Sequence, residues 1–307
     1  MWHRMLISVL FLMVGSISAC GLNQISKPPD GFIDLNDITQ PEQFLKMPAL
    51  SNDGQFIAAL GGISQEEPSI EQLIIIDIAD QKVIFSTEDE FWVSLAISSD
   101  GKKVAACKNQ QIFLIDLDTR KTSYLTDGCW PTWSPDGQRL AFVLITPDNK
   151  QIRVRDLATG IDEVVYESTS TFIGYLDWSP KQDKIAFSMH VNSNLLKLHT
   201  INIDGSGFIK LTNSPHSVVS PKFSPEGDKI LYVDWNAPLD AGTYLQIVDL
   251  EGYCHRIESP VSGLRYISLS PDGNTIAFGT IHGLLISNTE VALGKNFWTN
   301  GEPCTDS

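Results

Sequence analysis

Residues 131–143 read PTWSPDGQRLAFV, and five other stretches of the chain repeat this pattern. Trp133 ends an apolar run, the turn sequence SPDG follows at 134–137, and a second apolar run leads on from Arg139. Proline sets φ to roughly −65° at the first corner of a turn, aspartate bonds its local backbone, and glycine supplies a positive φ. Two such runs around a tight turn predict a β-hairpin. The other copies occupy residues 48–60, 95–107, 176–188, 221–233 and 267–279.

The spacing of the six turns predicts how the hairpins assemble. Their serines occupy positions 51, 98, 134, 179, 224 and 270, which is close to 44 residues per interval. After each hairpin comes a third strand-like run and, in most copies, a short fourth run, as in IFLIDL at 112–117 and SYLT at 123–126. Periods of about 40–45 residues with four strands are typical of propeller blades. Because one thin sheet cannot bury both faces, we predict an all-β fold, a six-bladed β-propeller of four-stranded antiparallel blades.

A family resemblance rests on the same residues. The pattern W/F-S-P-D-G-x-x-[IL]-A-F resembles the TolB-type, WD-like propeller repeat, and the match covers roughly residues 40–293. Asn52 and Ser99 replace the proline in the first two copies, and the fourth copy, SPKQD at 179–183, lacks the glycine. The resemblance implies the propeller fold. We interpret the turn aspartates as structural, and Trp133 and Trp178 as packing between blades.

Composition limits the classes of function. The formal net charge is −15, which argues against nucleic-acid binding and against an electrostatic membrane patch. Charged residues make up 19% and hydrophobic residues 42% of the chain, as in ordinary globular proteins.

The amino terminus predicts export. His3 and Arg4 precede an apolar stretch at 5–14, small residues follow, and Cys20 comes next, so residues 1–19 have the pattern of a signal peptide. Ile17-Ser18-Ala19-Cys20 also resembles the bacterial lipobox, which implies a lipid on Cys20; ordinary secretion is the alternative. We therefore expect residues 20–39 to be a lipidated tether, 40–293 the propeller and 294–307 a tail. The predicted location is the bacterial cell envelope, lipid-anchored and facing the periplasm or the exterior.

Four further cysteines lie at 107, 129, 254 and 304. An oxidising compartment permits disulfides, and four cysteines allow three pairings. A bond between Cys254 and Cys304 would clip the tail to the ring. Cys107 and Cys129 lie on adjacent blades and are either a second disulfide or two buried thiols. With no C-x-x-C pair, metal binding by the cysteines is not expected.

Binding is expected where the loops vary. The connections opposite the SPDG turns ring the mouth of the central channel, and such loops carry function in rigid scaffolds. Aromatic and charged side chains there suit contacts with proteins or glycans. Alternatively, Trp92 and Trp130 fill gaps between blades and the acidic run is a solvated loop. The candidate binding residues are Trp92, Trp130, Trp235, Arg265, Glu88, Asp89 and Glu90.

The sequence contains little that indicates catalysis. His190, His216 and His282 fall on loops of the same face and could hold a divalent metal, although surface histidines are the default interpretation. No G-x-S-x-G elbow, phosphate-binding loop or carboxylate pair stands out. We therefore expect a non-enzymatic module, without a cofactor, that binds or scaffolds envelope proteins. The alternative is a metal-dependent lyase or hydrolase acting on a saccharide or ester in the channel.

The last blade is short, because residues 289–293 are its only candidate outer strand within the repeat region. A segment before the first blade, residues 32–35, could supply the missing strand and close the ring.

Overall fold

A computed structural model of the chain describes residues 29–38, 44–51, 53–62, 71–87, 91–191, 194–235, 244–298 and 302–303. The predicted signal peptide, Cys20, the acidic run 88–90 and Cys304 lie outside these residues. Within them, the strands form six antiparallel sheets, which confirms the six-bladed propeller.

Five blades follow one another along the chain. In each of these blades the four strands pair in sequence order, with the first strand innermost. The first blade contains β2 (Phe44–Leu50), β3 (Phe56–Gly62), β4 (Glu71–Asp77) and β5 (Lys82–Ser86); the second contains β6 (Trp92–Ile97), β7 (Lys103–Lys108), β8 (Gln111–Asp116) and β9 (Lys121–Asp127); the third contains β10 (Cys129–Trp133), β11 (Arg139–Ile145), β12 (Lys150–Asp156) and β13 (Asp162–Ser168); the fourth contains β14 (Ile173–Trp178), β15 (Lys184–His190), β16 (Leu196–Asn202) and β17 (Ile209–Lys210); the fifth contains β18 (Ser217–Phe223), β19 (Lys229–Trp235), β20 (Tyr244–Asp249) and β21 (Cys254–Ile257).

The sixth blade joins the two ends of the repeat region. It contains β22 (Leu264–Leu269), β23 (Thr275–Thr280) and β24 (Gly283–Asn288), and its outer strand is β1 (Phe32–Asp34). Phe32 pairs with Ser287 and Asp34 with Leu285, so the predicted closure by the segment before the first blade is confirmed.

The alternative outer strand is wrong. Residues Thr289–Leu293 form a short helix, α1, rather than a strand. The Asn288 side chain caps this helix by accepting hydrogen bonds from the backbone N–H groups of Glu290 and Val291. Because β1 already occupies the edge of β24, no position remains there for a second strand.

The SPDG turns work as predicted, with one addition. Gly137 has φ +67°, and the Asp136 carboxylate accepts from the backbone N–H of Gln138 at 3.0 Å. The added element is Ser134, a buried residue whose hydroxyl donates to Asp136 at 2.5 Å and accepts from the Arg139 N–H at 2.9 Å. These contacts lower the pKa of the Asp136 carboxyl, with the serine hydroxyl as the main cause. The Ser134 and Asp136 side chains thus bond the start of the turn to the first backbone N–H groups that follow it.

Neighbouring turns touch one another around the ring. A Cβ on Gly273 of the sixth blade would lie 2.5 Å from Cγ of Pro225 in the fifth, and one on Gly227 would lie 2.7 Å from Oγ of Ser179 in the fourth. Between the third and fourth blades, Arg139 and Asp183 form an ion pair at 2.9 Å. These contacts place the turns side by side on one face of the propeller, which we call the turn face.

Hydrogen bonds also join the inner strands of adjacent blades. In five of the six interfaces, within the described residues, a side chain of one blade accepts from a backbone N–H of the next. The five bonds are Trp130 N–H to Ser94, Trp178 N–H to Thr132, Phe223 N–H to Asp177, Ile267 N–H to Ser220 and Leu50 N–H to Ser268, at 2.8–3.3 Å.

Cysteines and the tail add further constraints. Cys107 and Cys129 form a disulfide between the second and third blades, and Cys254 is also disulfide-bonded. A short strand β25 (Glu302–Pro303) pairs with β21 at the outer edge of the fifth blade. The tail is therefore held against that blade. Among the described residues, no helix combines the length and apolar character needed to cross a bilayer.

We expect Gly273→Ala to destabilise the protein more than Gly160→Ala. Both glycines have similar positive φ values, +74° and +72°, but a Cβ at Gly160 would meet nothing within 4 Å. The Gly160 variant should lose about 1–2 kcal/mol from backbone strain alone. The Gly273 variant should lose roughly 1–3 kcal/mol more through its clash with Pro225. Chemical denaturation measures the difference; equal losses would show that the turns do not interlock.

Leu35→Ala should destabilise the propeller by about 2–5 kcal/mol, because this side chain is fully buried where the ring closes. Deleting residues 29–38 should lower the melting temperature further, whereas deleting residues 21–28 should leave it unchanged. Thermal unfolding followed by circular dichroism tests all three variants. An unchanged melting temperature after the longer deletion contradicts closure by β1.

Candidate functional site

The central channel is lined by the inner strands of all six blades. One repeat position, four residues before the serine of each turn, contributes a lining residue from every blade. These six side chains, which we call the waist, are Met47, Ser94, Trp130, Tyr175, Ser220 and Tyr266. The cavity between them has a volume of about 60 Å³. Drug-sized ligands occupy pockets of about 300–1,000 Å³, so the waist leaves space for only a few waters.

A β-bulge interrupts every inner strand at this height. At four of the waist positions the backbone is left-handed, with φ between +50° and +56° at Met47, Trp130, Tyr175 and Ser220. A left-handed conformation costs a non-glycine residue on the order of 1–2 kcal/mol. A bulge redirects a side chain relative to its strand. At these four positions the left-handed backbone therefore accompanies a bulge that turns the side chain toward the channel.

Aromatic rings occupy one side of the waist. The Trp130 ring lies 4.5 Å from the Tyr175 ring, and Tyr175 lies 6.4 Å from Tyr266 across the intervening fifth blade. Phe172 packs edge-on against Trp130 at 5.7 Å. Burial raises the pKa of the Tyr175 hydroxyl well above its usual value. The tyrosine is thus neutral throughout the physiological range.

Lys222 is the charged residue of the channel lining. Its ammonium donates to Asp177 at 2.8 Å, and the other oxygen of that carboxylate accepts from the Phe223 backbone N–H at 2.8 Å. The pair joins the fourth and fifth blades. The Lys222 ammonium and the Asp177 carboxylate are therefore paired with each other across the interface between these blades.

The predicted binding residues divide into two groups. Trp92 and Trp130 are 3% and 7% exposed, and the Trp92 indole donates to Thr87 while Lys108 lies over its ring at 5.1 Å. These two tryptophans pack within the ring. Trp235 and Arg265 are half-buried and adjacent, with the guanidinium 5.4 Å from the indole ring. The acidic residues Glu88, Asp89 and Glu90 lie outside the described residues.

The three candidate metal-binding histidines have separate surroundings. His190 Nδ1 lies 2.8 Å from the Thr171 hydroxyl, and burial lowers the pKa of its imidazole. His282 is exposed at the turn between β23 and β24. Within the described part of the chain, no three His, Cys, Asp or Glu side chains form a metal-binding group.

His216 belongs to a buried polar network in the fifth blade. Its Nδ1 lies 2.9 Å from Asp234, a carboxylate that is 2% exposed and that also accepts from Ser214 and Gln246. Gln246 in turn accepts from the Tyr232 hydroxyl at 2.6 Å. The members of this network come from three separate segments of the chain, so no local sequence pattern connects them. The sequence signal for a buried polar group was Asp234, a carboxylate that follows the apolar run of β19 two residues after Tyr232.

A fourth histidine, His199, is almost fully buried beside aromatic rings. Its ring stacks on Phe208 at 5.3 Å and on Phe187 at 5.6 Å, and Nδ1 lies 2.9 Å from the Lys197 carbonyl oxygen. Burial lowers the pKa of His199 to about 4. The folded protein therefore holds this imidazole in its neutral form at neutral pH.

The comparisons with known proteins agree with the ring and its repeat. The family model of the TolB beta propeller domain matches residues 129–283, which is just over half of the 307 residues. The chain belongs to the TolB beta-propeller family. An uncharacterized protein of Agrobacterium fabrum is 27% identical over 128 residues, 40% of this chain and 43% of that protein. The chain thus matches less than half the length of this curated relative.

Three solved structures share the fold of this TolB-family propeller. A putative TolB from Agrobacterium tumefaciens has a TM-score of 0.62 at 18% identity, covering 84% of this chain and 96% of that one. Oligogalacturonate lyase from Vibrio parahaemolyticus has a TM-score of 0.57 at 16% identity, covering 83% and 79%. TolB from Acinetobacter baumannii has a TM-score of 0.55 at 18% identity, covering 87% and 57%. At these identities the likeness shows the fold alone.

Stability should fall between pH 7 and pH 5 because of His199. Its pKa is depressed in the folded state, so the unfolded chain takes up a proton that the folded chain excludes. Stability is complete above the ordinary histidine pKa and is lost as pH falls, by about 2 kcal/mol at pH 5. His199→Gln should flatten this slope in urea titrations, and His282→Gln, at an exposed site, should not. A slope unchanged in the His199 variant contradicts the assignment.

Proposed function

We propose that this chain is a cell-envelope lipoprotein whose propeller binds or scaffolds other envelope proteins. The supporting observation is the narrow waist. The cavity of about 60 Å³ between the waist residues has no room for a saccharide-sized ligand. Binding is then left to the outer surfaces of a rigid ring, and a rigid ring offers a partner a preformed surface at low entropic cost.

The surface around Trp235 and Arg265 is the proposed contact region. An arginine stacked on a tryptophan combines planar hydrogen-bond donors with apolar area, and both residue types are enriched among binding hot spots. In a chain of net charge −15, the half-buried guanidinium of Arg265 favours a partner with carboxylates at its contact.

Export is supported by the cysteines. Cys107 and Cys129 are joined, and Cys254 is disulfide-bonded as well. Disulfides persist in exported proteins and are rare in a reducing cytosol. They agree with the signal-like amino terminus and with a lipid on Cys20.

The alternative, a metal-dependent lyase or hydrolase, has weaker support. It requires converging ligands in the channel, whereas His216 is paired with Asp234 and His190 contacts Thr171. Metal analysis of purified residues 27–307 decides this point. Stoichiometric metal bound through these histidines would overturn the non-enzymatic proposal.

Cys20→Ser should release the protein from the membrane fraction of a bacterial host. The thiol is the proposed lipid attachment point, and no other described element anchors the chain. Labelling with radioactive palmitate and fractionation of the envelope measure the effect. Retention of label by the Ser variant would contradict lipidation at this residue.

Arg265→Glu should remove most covalent adducts formed by in vivo cross-linking to envelope proteins. Lys210→Glu is the matched control, because it reverses one charge at an exposed position on the outer strand of the fourth blade. We expect the control to keep its adducts. Equal adduct patterns in both variants would show that partners bind elsewhere.

A further inference from the structure

The amino-terminal segment enters the propeller at a defined end of the sixth blade. The carbonyl of Gly31 accepts a hydrogen bond from the Ser287 hydroxyl at 2.9 Å, and Phe32 pairs with Ser287. Three residues later, Leu35 and Asn36 lie at the other end of the same sheet, beside Leu284. The direction of β1 therefore fixes which end faces the incoming chain.

That end is the turn face. Asn288, next to Ser287, pairs with Thr275, the first residue of β23 after the sixth SPDG turn. The backbone N–H of Thr289 donates to the carbonyl of Asn274 inside the turn region at 2.9 Å. Gly31 also packs against Val291 of α1. The tether and the SPDG turns thus share one end of the molecule.

The candidate binding surface lies at the opposite end. Arg265 begins the inner strand of the sixth blade, near the backbone contact between Ile281 and Gly263, and Trp235 ends β19. Five residue steps separate Arg265 from Ser270 of its own turn and eight separate Trp235 from Gly227, which is roughly 16–26 Å along a strand.

Only nine residue steps connect Cys20 to Pro29, the first described residue. A fully extended chain of this length spans at most about 30 Å. A lipid on Cys20 would accordingly hold the turn-face end of the sixth blade within about 30 Å of the bilayer.

We propose that the turn face is the surface this protein presents to the lipid bilayer and that the channel mouth, with Trp235 and Arg265, points away from it. This inference rests on the proposed lipid at Cys20. The turn face carries many carboxylates, among them Asp136, Asp183 and Asp272, so the tether and not electrostatic attraction sets the orientation. Val291, which is 57% exposed, places an apolar side chain beside Gly31, where the chain enters the sixth blade.

Energy transfer to labelled lipids tests the orientation. The full chain is expressed in a bacterial host, purified with its lipid and bound to phosphatidylcholine vesicles that contain a rhodamine lipid. A donor dye is attached to azidophenylalanine at Gln138, in the third turn, or at Asp148, at the other end of the same blade; both positions are exposed. Transfer from position 138 should be at least about twofold more efficient, because the ends of the blade are about 20 Å apart.

The outcomes separate the two proposals. If the wild-type chain fails to bind vesicles, the lipid anchor and the orientation are both overturned. If the chain binds and position 148 transfers equally or better, the anchor stands and the orientation is wrong. Inserting ten Gly/Ser residues after Gln24 should bring the ratio toward one, because a longer tether no longer restricts the ring. A ratio unaffected by the insertion would overturn the role of the short tether.

Discussion

The propeller depends on hydrogen bonds that cross from one blade to the next at the inner strands. A β-bulge leaves backbone groups without ladder partners, and a buried N–H without a partner costs about 1–3 kcal/mol. In the third blade the Ser94 hydroxyl of the preceding blade accepts from the bulge residue Trp130. In the other four interfaces the donor lies beyond the bulge, as Phe223 does when it donates to Asp177. The inner edge of the first strand, which has no ladder partner within its own blade, is thus where neighbouring blades join. The narrow waist is a consequence, because the same bulges turn side chains toward the axis.

Much of this architecture could be predicted from the sequence because the repeat encodes it locally. The turn residues act within a few residues of one another, the period near 44 residues identifies the blade, and the six copies give the number of blades. The waist residues also belong to the repeat, since each of the six stands four positions before a turn serine. The residue at that position differs from blade to blade, as Met47, Ser94 and Trp130 show, so no shared residue type marks it as a motif.

The errors and omissions have physical reasons. Residues 289–293 contain valine and threonine, which favour strands, yet Asn288 supplies a helix cap and Gly294 ends the helix. The outer position of the sixth blade was taken by a segment more than 250 residues away in sequence. The His216–Asp234 pair likewise unites a loop and a strand that no local pattern connects. Trp92 and Trp130 are both buried, and the sequence alone does not report burial.

Closure by β1 has a mechanical consequence. Any load on the amino-terminal segment that is directed away from the turn face pulls Phe32 along the axis of its own strand. The bonds between β1 and β24 then resist together in shear, instead of opening one at a time as they would if peeled from the edge. The buried Leu35 side chain beyond the strand acts as a stop on the far side. A ring closed in this way tolerates tension at its attachment point without losing a blade.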